Sequence, residues 1–291
     1  VRQMWLHRSG NATAELQFSF ATVADRQGNL FVLGAGYLLK PFSERDSRFV
    51  TAKHSTTGEQ LWVASYAGPT GKYAEAKAIG LDLLGNVYVT GFVNWPDTLQ
   101  DYTTIKYDST GKQLWVARYD GPAHGGDFAV GLVVDADGNV YVTGSSRSGA
   151  GTSATVKYDK NGREVWVRRE SLDNLIGFEP VQIAADDQGG VYVTGNGTFD
   201  GVASVLATVK YDPDGNRVWV ATSFPPDRRF DAIARAMALD GEGNSYVTGI
   251  GSSEVTYRDY FTVKYDANGG QLWAAVHARR SDQESTTVCR V

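Results

Sequence analysis

G-N-V-Y-V-T-G at residues 138–144 is the segment that decides the fold, because close copies of it recur along the chain. Valine, tyrosine and threonine dominate it, and such residues favour a half-buried β-strand. The leading glycines of successive copies are 57, 53, 51 and 54 residues apart. A period of this size, carried by strand-like sequence, predicts a repeat architecture. The other copies are residues 28–34, 85–91, 189–195 and 243–249.

Each repeat contains four strand-like segments. The first carries small residues and ends in aspartate, the second is G-N-V-Y-V-T-G, the third is T-x-K-Y-D, and the fourth contains a tryptophan. Four such segments per repeat predict an all-β fold, a β-propeller of four-stranded antiparallel blades within one domain, 1–291. The five repeats are about residues 12–62, 73–115, 127–166, 177–219 and 230–273.

Strand-like sequence also lies beyond the repeats. Trp5 is 57 residues before Trp62, so residues 1–7 are predicted to form an extra fourth strand, and 285–291 an extra first strand. Five blades are preferred, although six remain compatible with these two end strands. Because unpaired edge strands attract other strands, we expect both segments to pair with an end blade or a neighbouring chain.

Short Asp-x-x-Gly turns join the first to the second segment, and the third to the fourth. Asp82 and Gly85 are one such pair, in which aspartate bonds the backbone and glycine supplies a positive φ. Residues 135–139 resemble half of a calcium loop, but the bidentate glutamate of such a loop is missing. Alternate connections fall on opposite ends of a meander. We therefore expect a turn face with the Asp-x-x-Gly turns, and a variable-loop face with the long, unlike loops.

Two repeated features are assigned to blade architecture. Small residues such as Ala78 fit a first strand that lies innermost, and the tryptophans fit between the outer parts of neighbouring blades. One interpretation of the lysines of T-x-K-Y-D, one in each repeat, is that they form a ring of functional residues. We favour lysine stems that pack, with ammonium groups paired to turn carboxylates. These lysines are Lys53, Lys106, Lys157, Lys210 and Lys264.

The patterns D-x-x-G-N-V-Y-V-T-G and T-x-K-Y-D-x-x-G-x-x-L-W-V resemble the bacterial β-propeller repeat family often called the seven-bladed propeller repeat, over about residues 12–276. They are less closely similar to NHL-type repeats. The resemblance implies a bacterial, extracytoplasmic protein (secreted, periplasmic or on the cell surface), often one module of a larger one. It brings no catalytic residues.

Composition excludes several classes of function. A net charge of −5 without a basic run disfavours nucleic acid as a partner. No apolar run is long enough for a transmembrane segment. The four histidines fall at unrelated repeat positions, and the chain has only one cysteine, so we expect no metal site. We also expect no cofactor.

Residues that depart from the repeat are the candidates for function. Trp95 is the one tryptophan outside the fourth segment, and it lies in a variable loop beside Asp97 and Asp101. Exposed aromatic residues among charged groups suit recognition of a protein or a glycan. The alternative is that Trp95 covers its own loop. The candidate binding residues are Tyr37, Trp95, Asp97, His124, Arg147, Phe199, Tyr257 and Arg258.

The favoured interpretation is a non-enzymatic, extracytoplasmic scaffold or protein-interaction propeller, with a protein partner or larger assembly on the variable-loop face. One alternative is a carbohydrate-binding propeller. The other is a glycan lyase or hydrolase that uses loop carboxylates, and two carboxylates lining a deep cleft would favour it.

Overall fold

The computed structural model describes residues 15–38, 46–147, 152–172, 175–199, 203–224, 231–251, 259–279 and 285–290. Over these residues the protein is all-β, with five antiparallel sheets and no helix. It follows that no helix in the described part could cross a membrane. The prediction of four antiparallel strands per repeat is confirmed, and the last sheet contains one strand more.

The strands follow the repeats in chain order. The first sheet contains β1 (Glu15–Ala24), β2 (Leu30–Leu38), β3 (Asp46–His54) and β4 (Gln60–Tyr66). The second contains β5 (Ala74–Leu81), β6 (Val87–Asn94), β7 (Gln100–Tyr107) and β8 (Gln113–Tyr119). The third contains β9 (Asp127–Val134), β10 (Val140–Ser146), β11 (Thr152–Tyr158) and β12 (Glu164–Glu170). The fourth contains β13 (Leu175–Ala185), β14 (Val191–Phe199), β15 (Ala203–Tyr211) and β16 (Arg217–Ser223). The fifth contains β17 (Ala232–Leu239), β18 (Ser245–Gly251), β19 (Asp259–Tyr265), β20 (Gln271–Arg279) and β21 (Ser285–Arg290).

Each sheet is a meander, because its first four strands lie side by side in chain order. In the fifth sheet, β21 is antiparallel to β20, with Cys289 opposite Ala275. The C-terminal strand therefore pairs with the tryptophan strand of the last repeat, which confirms the expected pairing with an end blade. It is a fifth strand of that sheet, and not the extra first strand that the sequence predicts. The other predicted end strand, residues 1–7, lies outside the described residues.

The chain divides into two compact units, residues 1–142 with 158–165 and residues 143–157 with 166–291. Within the first unit, β5 contacts both β1 and β9, and within the second unit β13 contacts β17. Within each unit, the first strands of consecutive repeats are thus neighbours. Ala76, Ala129 and Ala234 are fully buried in them, two residues before the small position singled out from the sequence, where Ala78 is partly buried and Ala236 is exposed.

The last glycine of G-N-V-Y-V-T-G is required by a close approach of two backbones. In the second sheet the register shifts between Ala76 and Ala78, which marks a bulge in β5. A Cβ atom on Gly91 would overlap the Glu75 carbonyl oxygen and come within 2.8 Å of Phe49. Gly195 and Gly249 meet the first strands of their own sheets in the same way.

The Asp-x-x-Gly turns have the predicted chemistry. Asp82 Oδ1 accepts hydrogen bonds from the backbone N–H groups of Leu84 and Asn86, each at 2.9 Å. Its Oδ2 accepts one from Asn86 Nδ2 at 2.7 Å. Gly85 has a φ of 79°, the left-handed conformation that glycine adopts without strain. These contacts define the turn face.

Four lysines of T-x-K-Y-D, those at positions 53, 106, 210 and 264, pack and pair as predicted. Lys106 Nζ lies 3.8 Å from Asp82 Oδ2 and 4.8 Å from the centre of the Tyr88 ring. It also donates a hydrogen bond to the Lys160 carbonyl of the next repeat, at 3.1 Å. Lys53, Lys210 and Lys264 form the corresponding ion pairs with Asp25, Asp186 and Asp240. These lysines therefore stabilise the repeats and the contacts between them.

Four tryptophans of the fourth segment join their sheets to the turn between the third and fourth strands of the following repeat. Trp115 Nε1 donates to the Lys160 carbonyl at 3.1 Å, and a Cβ atom on Gly162 would lie 2.7 Å from its ring. Only glycine leaves room for that ring. The same contacts link Trp62 to Gly111, Trp166 to Gly215 and Trp219 to Gly269. The predicted place of the tryptophans between neighbouring repeats is confirmed for these four.

We expect the Asp240 carboxyl to titrate near pH 2. The hydrogen bond from the Asn244 side chain, with further bonds from backbone N–H groups, lowers its pKa from 3.8 to about 2. A carboxyl whose pKa is lower in the folded state contributes stability above its unfolded pKa. That contribution is lost as the pH falls from 3.8 to about 2. An NMR titration of Asn244→Ala should show the midpoint move up towards 3.8, and an unchanged midpoint would contradict this explanation.

Candidate functional site

Side chains from two unrepeated loops and from the ends of two strands meet at the variable-loop face of the second sheet. Trp95 and Asp97 lie in the loop after β6, Asp101 lies at the start of β7, and Arg118 lies near the end of β8. Asp120 and His124 lie in the loop that leads to β9. We call Trp95, Asp97, Asp101, Arg118, Asp120 and His124 the Arg118 cluster.

Arg118 holds the cluster together. Its Nε donates to Asp101 Oδ2 at 2.6 Å, and its Nη1 donates to Asp97 Oδ2 at 3.1 Å. Its Nη2 donates to Thr98 Oγ1 at 2.8 Å. Arginine suits this role because its planar guanidinium offers several fixed donors at once. The β6–β7 loop is therefore tied to β8 by one side chain.

Trp95 lies beneath that guanidinium. The Arg118 Cζ atom is 4.6 Å from the centre of the Trp95 ring, within the range of a cation–π contact. Trp95 Nε1 donates to Thr103 Oγ1 at 3.3 Å, and the ring packs against a core cluster that includes Val93. Trp95 is thus half-buried and supports its own loop, as well as lying at the variable-loop face.

The carboxylates of the cluster differ in environment. The side chain of Asp101 is fully buried, whereas that of Asp97 is 66% exposed. Burial raises the pKa of Asp101, with a further contribution from Asp120, although the hydrogen bonds from Thr98 and Arg118 oppose it. The hydrogen bond from Arg118 lowers the pKa of Asp97. Asp97 therefore presents a negative charge to solvent, and Asp101 is part of the interior.

The loop between β8 and β9 joins the same network. Asp120 Oδ2 lies 2.7 Å from His124 Nδ1 and accepts from Arg118 Nη2 at 3.4 Å. Asp127 Oδ2 accepts from the Gly121 N–H at 2.7 Å. His124 has a φ of 50°, a left-handed conformation that is uncommon for a residue other than glycine and is frequent at functional sites. Its side chain is 72% exposed.

The other predicted site residues lie elsewhere in the fold or outside its described part. Tyr37 pairs with Leu16 and Ser47 in the first sheet. Phe199 ends β14, and its ring makes an edge-to-face contact with Phe224 at 5.3 Å between centres. Arg147 is exposed after β10. Tyr257 and Arg258 fall outside the described residues. The network thus joins three of the predicted residues, Trp95, Asp97 and His124.

A cavity of about 420 Å³ also opens on the turn face of the second unit. Lys210, Asp186, Asp240 and Glu242 line it, and Lys210 Nζ is 3.4 Å from Asp186 Oδ2. The Lys210–Asp186 pair recurs in other repeats, for example between Lys106 and Asp82. We therefore assign this cavity to blade architecture and keep the Arg118 cluster as the candidate site.

Comparison with known proteins supports the fold. Residues 117–149 match the family model of the SBBP β-propeller repeat, and this segment includes Arg118 and His124. No curated protein sequence matches the chain. Among solved structures, a protein of unknown function from Dyadobacter fermentans is similar with 10% identity and a TM-score of 0.51, over 96% of this chain and 94% of that one.

Two enzymes share the fold at low identity. A quinohemoprotein alcohol dehydrogenase from Pseudomonas putida is 17% identical with a TM-score of 0.52, over 90% of this chain and 44% of that one. An ulvan lyase of polysaccharide lyase family PL25 is 12% identical with a TM-score of 0.53, over 89% of this chain and 69% of that one. Likeness at these identities concerns the fold alone. The repeated unit, its antiparallel sheets and the match over residues 117–149 together support β-propeller repeats in this chain.

Proposed function

We propose that the protein is a non-enzymatic, extracytoplasmic bacterial scaffold or interaction propeller of five blades, which binds a protein partner at the Arg118 cluster. The observation that carries the proposal is that unrepeated side chains from two loops are held in one hydrogen-bonded network on the variable-loop face. The resemblance of the repeats to those of bacterial surface and secreted proteins supports the location.

The cluster has the composition of a protein-binding site. Tryptophan and arginine are enriched among the residues that dominate interface energies. Asp97 and His124 are largely exposed beside them, and Leu99 adds an apolar side chain that is 58% exposed. Because hydrogen bonds already order these loops, binding would lose little conformational entropy. The excess of carboxylates favours a partner with a basic surface.

The alternatives find less support in the same contacts. A sugar needs an open aromatic face, but the Arg118 guanidinium lies over the Trp95 ring at 4.6 Å. A hydrolase needs two carboxylates that reach a substrate, but Asp101 and Asp127 are 0% and 1% exposed. A protein partner requires only the exposed rim of the cluster, which these residues provide.

Partner binding should depend on Asp97 and His124. We expect Asp97→Ala combined with His124→Asn to weaken binding of the native partner by about 30-fold, or ~2 kcal/mol. Asparagine is chosen because it tolerates the left-handed backbone at His124. Binding is measured with the partner that co-purifies from the source, and the thermal midpoint should barely change.

The matched control is Lys160→Ala, an exposed residue of the turn face. Its affinity for the partner should equal that of the wild type. Equal losses from the double variant and from Lys160→Ala would overturn the assignment of the binding face. Specific binding of an acidic or neutral glycan, lost in the double variant, would instead favour the carbohydrate-binding alternative.

A further inference from the structure

Three carboxylates converge beside the Arg118 cluster. One oxygen each of Asp101, Asp120 and Asp127 lies within 4.8 Å of those of the other two. Asp101 is the second residue of β7, Asp120 follows β8 and Asp127 begins β9, so the three come from separate segments. Asp120 and Asp127 are not part of the repeat, because no other repeat has an aspartate at the equivalent position. Asp120 corresponds to Ala67, Ser171, Phe224 and Ala278, and Asp127 to Ala74, Phe178 and Ala232.

Two of these carboxylates have a buried oxygen without a donor. Asp101 is fully buried, and its Oδ2 accepts from Thr98 and Arg118, but its Oδ1 has no hydrogen-bond partner. Asp120 Oδ2 lies in contact with His124 and Arg118, and its Oδ1 is likewise buried and unpartnered. Buried carboxylate oxygens are normally hydrogen-bonded or bound to a cation, because leaving them unsatisfied is unfavourable.

The local charge is also unbalanced. The three carboxylates face one guanidinium, that of Arg118, which ion-pairs with Asp101 and Asp120 and also with the exposed Asp97 outside the group. With all three ionised, two negative charges remain in a largely buried space. A divalent cation would balance them, whereas a monovalent cation would balance one.

The distances among the three carboxylate oxygens suit calcium. Calcium binds oxygen ligands at about 2.3–2.6 Å, so two ligands of one ion lie at most about 5 Å apart. The 4.8 Å limit on the three oxygens meets this condition. All three ligands are hard carboxylate oxygens, which calcium and magnesium prefer.

We propose that Asp101, Asp120 and Asp127 bind one calcium ion, which fixes the variable-loop face of the second blade. The ion would link the starts of β7 and β9 to the loop after β8. The Arg118 cluster lies on the same segments, so calcium would order the surface proposed to bind a partner. The site itself does not depend on that proposed function.

The turn at residues 135–139, which resembles half of a calcium loop, is separate from the proposed calcium site. Asp135 Oδ1 accepts from the backbone N–H groups of Asp137 and Asn139 at 3.0 and 2.8 Å. Its Oδ2 accepts from Asn139 Nδ2 at 2.8 Å and from the Tyr141 hydroxyl at 3.1 Å. Both oxygens are thus satisfied within the turn, which makes this turn a control site.

The test is calorimetric titration of the EDTA-treated full chain with CaCl₂, together with thermal unfolding. We expect one ion per chain and a rise in the unfolding midpoint with calcium concentration. The isosteric variants Asp120→Asn and Asp127→Asn should bind calcium at least about tenfold more weakly. Asp137→Asn in the turn, and Asp259→Asn at the repeat position of Asp101, should bind like the wild type.

Three results would overturn the proposal. The first is no heat and no midpoint shift in millimolar CaCl₂, as expected if the carboxyls share a proton instead. The second is loss of binding in Asp137→Asn. The third is unchanged binding in Asp120→Asn and Asp127→Asn. If Asp127→Asn fails to fold, calcium binding by Asp120→Asn decides the test. The Asp120 side chain is partly exposed, so we expect this variant to fold. Partner binding through Asp97 is measured separately, so the two proposals can fail independently.

Discussion

Arg118→Ala should destabilise the protein by about 3–5 kcal/mol, the loss seen when one partner of a buried ion pair is removed. The Asp101 side chain is fully buried, and Arg118 Nε supplies its closest charged contact, at 2.6 Å. Without the guanidinium, Asp101 would keep an uncompensated charge or take up a proton, and Trp95 would lose its cation–π contact. Urea unfolding of the calcium-free protein measures the change.

Arg169→Ala is the matched control for this prediction. Arg169 follows Trp166 by three residues, as Arg118 follows Trp115, but the repeat position of Asp101 is Thr152 in the third repeat. We therefore expect a smaller loss of stability from Arg169→Ala. If both variants lose the same stability, the buried pair with Asp101 is not what makes Arg118 important.

Trp115→Ala should also destabilise the protein, by about 3 kcal/mol, the low end of the range for a fully buried ring, because this large ring is only partly buried and its loss would leave a gap against the next repeat. The ring packs on Gly162 of the next repeat, and Nε1 donates to the Lys160 carbonyl at 3.1 Å. It also makes an edge-to-face contact with Tyr88 at 5.9 Å between centres. Losing it removes packing between two consecutive repeats as well as one hydrogen bond.

Leu114→Ala, next to it on β8, separates this effect from a general weakening of the strand. Leu114 is 48% exposed and points away from the tryptophan contact, so its loss should stay below about 1 kcal/mol. Chemical unfolding of both variants gives the comparison. Comparable losses from Trp115→Ala and Leu114→Ala would show that tryptophan does not anchor the next repeat.

The fold was predictable because its causes are local and repeated. The aspartate and glycine of each short turn determine a hairpin by themselves, and Gly85 has the predicted positive φ. The role of Gly91 was not predictable, because it depends on a bulge in β5 that brings the Glu75 carbonyl onto it. A bulge is set by contacts between strands and leaves no pattern in one strand's sequence.

The site was only partly predictable. Departure from the repeat indicated Trp95, Asp97 and His124, but it missed Arg118 and Asp120, which connect them. The residue type at the position of Arg118 varies among repeats, and the position lies in a strand. Arg118 therefore resembles an ordinary surface residue in the sequence. Its importance comes from carboxylates on two other segments. The available signal was charge complementarity between Arg118 and the unrepeated aspartates of the same blade.

The most direct test of the account is photo-cross-linking in the native complex. A photoreactive amino acid replaces Asp97 in one variant and Lys160 in another, so that the variable-loop face and the turn face are compared. We predict that the protein partner cross-links from position 97 and not from position 160. Cross-links from position 160, with none from position 97, would contradict the assignment of the Arg118 cluster as the binding site.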